Sequence, residues 1–143
     1  MTILDANILI YAWNGADPRN ERARRWIDAL FTNEDWIGIP WVTIWAFLRL
    51  STNARVMPQP MTAEQAFRIV EIWLALPNVV TIDPGPRHAR ILEDLSVSAQ
   101  ATGPLMTDAV LAALAIEHGA TLASTDHDFS RFPDLKWINP LAI

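Results

Sequence analysis

The sequence contains no cysteine, and this absence removes several kinds of chemistry. Disulfides, thiolate zinc sites and cysteine nucleophiles are excluded, and the composition is compatible with a reducing cytosol. No apolar run approaches the ~20 residues of a membrane span. The first residues contain no basic region, and Asp5 interrupts the first apolar stretch, so we expect no signal peptide. We therefore expect a cytoplasmic protein with no membrane partner.

Basic residues are also scarce, and the net charge is −5. Proteins that bind nucleic acid usually have a basic surface, so this balance counts against a nuclease. Lys136 is the only lysine, so ten of the eleven cations are arginines, which bind phosphate in a bidentate manner better than lysine does. A bound metal ion would neutralise part of the acidic excess. The charge balance alone therefore does not exclude nucleic acid as a substrate.

The order of predicted elements indicates an α/β fold. A length of 143 residues with 51% hydrophobic residues predicts a single globular domain over residues 1–143. Helical periodicity alternates with short apolar strands, which are predicted at residues 2–5, 36–39, 79–82, 121–123 and 135–138. This alternation favours helices packed around a mainly parallel sheet of four to five strands.

An alanine-rich helix is predicted over residues 107–118, after a loop at residues 100–104. Thr107 is expected to be its N-cap, and Gly119 lies just past its end, where glycine is favoured. The small side chains would allow close packing on the sheet. Asp108 would then open the helix.

The placement of the carboxylates carries most of the functional information. Asp5 follows the first strand, Asp126 and Asp128 follow the fourth, and Asp108 lies at the start of a helix. In open α/β sheets, ligands bind beyond the carboxyl ends of the strands. Each acid alone could be a helix cap or a turn residue. Together they predict a site for Mg²⁺ or Mn²⁺, which prefer carboxylate oxygens.

This joint pattern resembles the PIN domain, and in particular the VapC-like toxins. The matching motifs are LDANILIYA from Leu4, TDA from Thr107 and STDHDF from Ser124, with a further likeness over residues 41–53. Each motif is short, but all of them occur in the family's order and spacing. The resemblance extends from residue 1 to Pro140.

The resemblance implies a three-layer α/β/α sandwich and a ribonuclease that depends on Mg²⁺ or Mn²⁺. Carried over by position, Asp5, Asp108 and Asp126 would be the metal-binding catalytic acids, and Asp128 a further catalytic acid. Asn7 would orient Asp5 or a metal-bound water, and Thr125 would support the same site.

One position departs from the family pattern. Most PIN domains carry another acid, usually glutamate, in the helix after the second strand. Ala46 stands there instead, and no acid occurs between Asp35 and Glu64. We therefore expect weaker metal binding in the free protein. Arg49, three residues further along, could bind the scissile phosphate or form only a surface ion pair.

The resemblance also implies partners. A VapC-like toxin would act on RNA, form a homodimer and be inhibited by a cognate VapB-like antitoxin. We expect the helices at residues 41–53 and 62–76 to form the antitoxin groove.

Other functions have less support. A PIN fold without the missing acid could bind RNA or an antitoxin without cleaving. An aspartyl-nucleophile phosphatase would need a second acid close to Asp5, and Ala6-Asn7 offers none. The histidines are scattered and the candidate ligands are mainly carboxylates, which argues against zinc. No glycine-rich nucleotide-binding fingerprint occurs.

Overall fold

The structure is a computed structural model that describes residues 1–142. Twelve elements follow one another in these residues. They are β1 (Thr2–Leu4), α1 (Ala6–Trp13), α2 (Asn20–Asn33), β2 (Ile37–Pro40), α3 (Trp41–Ser51), α4 (Ala63–Ala75), β3 (Val79–Ile82), α5 (His88–Ser98), α6 (Pro104–Glu117), β4 (Thr121–Ala123), the 3₁₀ helix η1 (His127–Arg131) and β5 (Trp137–Ile138).

The strands form one parallel sheet in the order β3-β2-β1-β4-β5. The chain moves outward from β1 through β2 to β3 and then returns to the other side of β1 as β4. The boundary between β1 and β4 is therefore the point where the strand order reverses, and ligands of such sheets bind beyond the carboxyl ends there. The predicted fold class is confirmed, with five strands.

Neighbouring residues of the strands face opposite layers, because side chains alternate along a strand. Ile3 lies in a core cluster with α5 and α6, while Leu4 lies in a second cluster with α1, α2, α3 and α4. Leu122 and Ala123 of β4 divide between the same two clusters. The sheet is thus the middle layer of the predicted α/β/α sandwich.

Helix α6 begins three residues earlier than predicted. Gly103 adopts φ +57°, which glycine tolerates, and Pro104 occupies the first helical turn, where its fixed φ suits a helix. Thr107 is therefore inside the helix and not its N-cap, and Asp108 lies one turn in from its start. Gly119, with φ +63°, follows the end of α6 as predicted.

Buried alanines bring α6 close to the sheet, as the small side chains suggested. Four of them, Ala109, Ala112, Ala113 and Ala115, are completely inaccessible to solvent. This packing holds α6, which carries Asp108, against the sheet. None of the helices between residues 1 and 142 is long and apolar enough to cross a membrane.

Candidate metal centre

Asp5 and Asp126 lie at the carboxyl ends of two neighbouring strands. Leu4 of β1 pairs with Ala123 of β4, and the Asp5 N–H donates to the Ala123 carbonyl at 3.1 Å. Asp5 Oδ1 accepts a hydrogen bond from the Ala6 N–H at 2.7 Å and caps α1. Because each carboxylate oxygen has two acceptor positions, this cap leaves Asp5 free to accept further contacts. The cap and a ligand role are compatible.

Three of the four predicted acids form a close cluster. One carboxylate oxygen from each of Asp108, Asp126 and Asp128 lies within 4.8 Å of the others. Asp126 also caps η1, with Oδ1 accepting from the Asp128 N–H at 2.9 Å. This bond orients the turn that carries Asp128, whose carboxylate lies near that of Asp108 on α6. Asp5 is not one of this trio, but it is near enough to influence the ionisation of Asp108.

Ser124 connects Asp5 to the rest of the site, a role that sequence reasoning missed. Its side chain is fully buried. The hydroxyl donates to Asp5 Oδ2 at 2.7 Å and accepts from the Asp126 N–H at 3.0 Å. Its position directly after β4, opposite Asp5 in the parallel pair, was the available signal. Ser124 therefore holds two acids in a fixed relation.

Asn7 reaches the site through Ser124. Its Nδ2 donates to Ser124 Oγ at 3.1 Å, and its Oδ1 accepts from the Thr125 N–H at 3.5 Å. The predicted role of Asn7 in orienting Asp5 is therefore structurally indirect. Thr125 contributes its backbone N–H to this arrangement, while the adjacent serine supplies the hydroxyl.

Burial and neighbouring charges disturb the ionisation of Asp108 and Asp5. Burial raises the pKa of Asp108 to about 7, and the charges of Asp126, Asp5 and Asp128 add to the effect in that order. Burial also raises the pKa of Asp5, although the hydrogen bonds from Ser124 and Ala6 oppose it. A nearby positive charge would stabilise the ionised form of both carboxyl groups. The electrostatics therefore favour a bound positive charge.

Ala46 and Arg49 lie on α3, which starts at the same edge of the sheet. Ala46 is half-buried. It offers only a methyl group at the position where the resemblance predicts an acid. Arg49 is exposed and forms no ion pair with any of residues 1–142. The surface ion pair considered for Arg49 is thus absent, and its guanidinium is free to contact a ligand.

The donor set fits a hard divalent cation. Carboxylate oxygens suit Mg²⁺ or Mn²⁺, which bind one or two carboxylates while water and a substrate phosphate complete the octahedron. Asp108, Asp126 and Asp128 would hold the ion, and Asp5 would take part directly or through water. No cysteine is available, and the three nearest acids offer oxygen alone.

Comparison with known proteins gives concordant results. The sequence profile of the PIN domain matches residues 2–135. Ribonuclease VapC37 of Mycobacterium tuberculosis is 40% identical over 143 residues, covering 100% of this chain and 99% of that protein. Ribonuclease VapC31 of the same organism is 40% identical over 140 residues, covering 98% and 99% respectively.

A solved structure shows the same fold at lower identity. The crystal structure of VapBC2 from Rickettsia felis, bound to a DNA fragment from its promoter, contains a chain that superposes with a TM-score of 0.70. The match covers 96% of this chain and 97% of the other at 22% identity. At that identity the likeness concerns the architecture alone.

Proposed function

This chain belongs to the PIN domain family, and from that premise we propose that it is a metal-dependent endoribonuclease, the toxin of a VapBC-type pair. The observation that carries the proposal is the set of carboxylate oxygens of Asp108, Asp126 and Asp128, all within 4.8 Å of one another at the strand-order reversal. The ribonuclease names of relatives that share the full length of the chain support the choice of RNA.

The proposed reaction is hydrolysis of an RNA phosphodiester. A bound Mg²⁺ or Mn²⁺ would supply polarisation of the phosphate and activation of the attacking water. Asp108 and Asp126 would hold the ion, and Asp128 would complete the trio or hold a water. Asp5, fixed by Ser124 at 2.7 Å, would accept a hydrogen bond from a reacting water or contact the ion. Arg49 would bind a substrate phosphate with its fork of N–H donors.

Cleavage of RNA by the purified, antitoxin-free protein tests this proposal. We expect cleavage with Mg²⁺ or Mn²⁺, none with EDTA, and recovery when the metal is returned. Asp126→Asn should lose activity. The matched control is Asp134→Asn, an exposed acid that precedes β5 at the opposite edge of the sheet. Equal activity in both variants would refute the site assignment.

The main alternative is a PIN-fold module that binds without cleaving, and Ala46 is the observation that favours it. A site with fewer carboxylates depends more on the substrate phosphate to hold the ion. The alternative predicts RNA or antitoxin binding with no product at any Mg²⁺ or Mn²⁺ concentration. Metal-dependent product from the wild-type chain, absent in Asp126→Asn, would exclude it.

We infer that the antitoxin docks against α4, one of the two helices predicted to form its groove. Phe47 of α3 and Trp73 of α4 pack edge to face with ring centroids 4.7 Å apart and are both buried, so neither side chain is exposed to a partner. Two open grooves, with volumes of about 500 and 570 Å³, are lined in part by α4. Both include Trp13 and Ile72, which are 45% and 56% exposed.

We place an apolar segment of a VapB-like antitoxin in these two grooves. A solved structure of similar fold is a toxin–antitoxin complex from Klebsiella pneumoniae, which supports a partner of this kind. Ile72→Ala and Trp13→Ala should weaken the complex, while Val97→Ala on α5 should not, although Val97 is 72% exposed. Unchanged affinity in the first two variants would rule out this surface. The expected homodimer stays a prediction, which the mass in solution would test.

A further inference from the structure

Helix α3 exposes two tryptophans that no part of the described core covers. Trp41 is 36% exposed and Trp45 is 64% exposed, and neither belongs to the two core clusters. They are four residues apart, so they lie on the same face of the helix, about 5–6 Å from each other at Cβ. Large aromatic side chains are usually mostly buried, so two exposed neighbours suggest a contact with another molecule.

This aromatic face begins beside the candidate metal centre. Ile3 of β1 pairs with Gly38 of β2, which brings Pro40 level with Asp5 two residues later. The Thr43 hydroxyl in the first turn of α3 donates to the Leu4 carbonyl at 2.8 Å. The first turn of α3 is therefore anchored to the residue that precedes Asp5, and Trp41 starts at the same edge of the sheet.

The charge of this region is opposite to that of the whole chain. Residues 36–63 contain Arg49 and Arg55 but no acid, although the net charge of the chain is −5. Arg49 lies four residues after Trp45 and is exposed, so it continues the same face of α3 by another turn. An aromatic surface with a free guanidinium suits a polyanion that also offers flat rings. A neutral apolar partner would not need the arginine.

We propose that Trp41, Trp45 and Arg49 form a stacking platform for unpaired bases of the RNA substrate next to the scissile phosphate. The inference rests on the proposed ribonuclease function. Base rings would stack on the two indoles, and the Arg49 guanidinium would pair with a backbone phosphate. Stacking needs bases that are free of a duplex, so the platform selects single-stranded segments, loops or ends.

The test compares RNA binding by matched tryptophan variants. The ligand is a fluorescent, unstructured oligouridylate, measured by anisotropy with Mg²⁺ in an Asp126→Asn background that prevents turnover. We expect Trp45→Ala to weaken binding roughly 5- to 100-fold, in line with the loss of one stacked base. Trp45→Phe keeps an aromatic ring and should retain most of the affinity. An RNA duplex of the same length should bind more weakly and be insensitive to Trp45→Ala.

Trp36→Ala is the control for non-specific RNA binding by exposed aromatic side chains. Trp36 is 52% exposed but precedes β2, at the opposite edge of the sheet from the carboxylates. The Trp36→Ala variant should bind the oligonucleotide with the same affinity as the parent protein. In the cleaving wild-type background, Trp45→Ala should raise KM and leave kcat nearly unchanged, because stacking stabilises ground state and transition state alike.

Several results would overturn the platform. They are no binding by the parent, equal affinity in Trp41→Ala, Trp45→Ala and Trp36→Ala, or a halved molecular mass of Trp45→Ala, which would make this face an interface between copies of the chain. Failure of the platform differs from failure of the proposed function. In the first case the wild type cleaves RNA with an unchanged KM in the variants, and in the second the wild type yields no product.

Discussion

The two ends of α6 each carry an acid, and the two acids are held in opposite ways. Asp108, one turn from the start, faces three other carboxylates, and burial with their repulsion raises its pKa to about 7. At the far end burial also acts to raise the pKa of Glu117, but hydrogen bonds from the Gly85 and Arg87 N–H groups, each 2.8 Å long, together with nearby His118 and His88, lower that pKa overall.

This contrast distinguishes Glu117, whose hydrogen bonds stabilise the fold, from Asp108, which we propose binds a metal ion. Each carboxylate oxygen of Glu117 accepts a backbone N–H, and the Arg87 guanidinium also donates to the Glu117 carbonyl at 2.9 Å. It joins α6 to the loop before α5. Asp108 faces other carboxylates instead of N–H donors, and either a proton or a bound cation would relieve their repulsion.

The largest expected effect distinguishes the two acids by activity. Asp108→Asn removes the charge of a proposed metal ligand and should reduce RNA cleavage by at least about a hundredfold. Glu117→Gln lies at the other end of the same helix and should keep activity within about twofold. Initial rates with saturating Mg²⁺ measure both. Comparable losses in the two variants would show that the helix, and not the acid cluster, matters.

Ser124→Ala should have the next largest effect. It releases Asp5 and leaves the Asp126 N–H and the Asn7 amide without their acceptor. Residues that hold metal ligands in place typically contribute about 10–100-fold to affinity or activity. The Mg²⁺ concentration for half-maximal cleavage should rise accordingly. Ser96→Ala on α5, where the hydroxyl donates to Met106 Sδ at 3.3 Å, should leave that concentration unchanged. A wild-type value in Ser124→Ala would make its hydrogen bonds merely structural.

The third expectation concerns pH. Below the raised pKa of Asp108, about 7, a divalent ion must displace a proton from that carboxyl group. Apparent Mg²⁺ affinity should therefore fall by about tenfold for each pH unit below 7 and level off above it. Glu117→Gln should follow the same curve. An affinity independent of pH between 5 and 8 would contradict the mutual repulsion of the acids.

The smallest expected effect is on the stability of the metal-free protein, and its sign differs between the two acids. The folded-state pKa of Asp108 is raised, so ionisation costs the folded state stability as pH increases from the ordinary carboxyl range through about 7. Asp108→Asn removes that cost and should raise the free energy of unfolding near pH 8 by up to about 1 kcal/mol after solvent screening.

Glu117 contributes in the opposite direction. Its pKa is lowered, so its stabilisation is present above the ordinary glutamate pKa and is lost as pH falls through the lowered value. Glu117→Gln should therefore lower the Tm at neutral pH. Thermal unfolding in EDTA measures both variants. Shifts of the same sign would refute the distinction.

Much of the architecture was predictable because apolar periodicity reports local structure directly. The five parallel strands and the alanine-rich helix follow from such patterns, and the structure confirms them. The predicted start of α6 was wrong because Gly103 and Pro104 begin the helix before Thr107, which had been expected to be its N-cap. Both residues are breakers in general, and only the backbone shows that here they begin a helix.

The site was partly predictable for a different reason. Asp126 and Asp128 follow β4, Asp108 lies near the start of α6, and the structure brings these three predicted acids together. Asp5, also predicted as a metal ligand, is not one of this trio. The role of Ser124 depends on the β1–β4 register, which pairs Leu4 with Ala123 and which composition does not contain. The contact between α3 and α4 likewise depends on how Phe47 and Trp73 pack, which is a long-range contact that periodicity cannot specify.

Calorimetric titration with Mn²⁺ near pH 8 tests most directly whether the acid cluster is a metal site. Wild type and Glu117→Gln should each show saturable binding, and Asp108→Asn should show little or none. Binding of equal strength in all three proteins would place the ion elsewhere, and no binding in the wild type, even with RNA present, would contradict a metal-dependent nuclease.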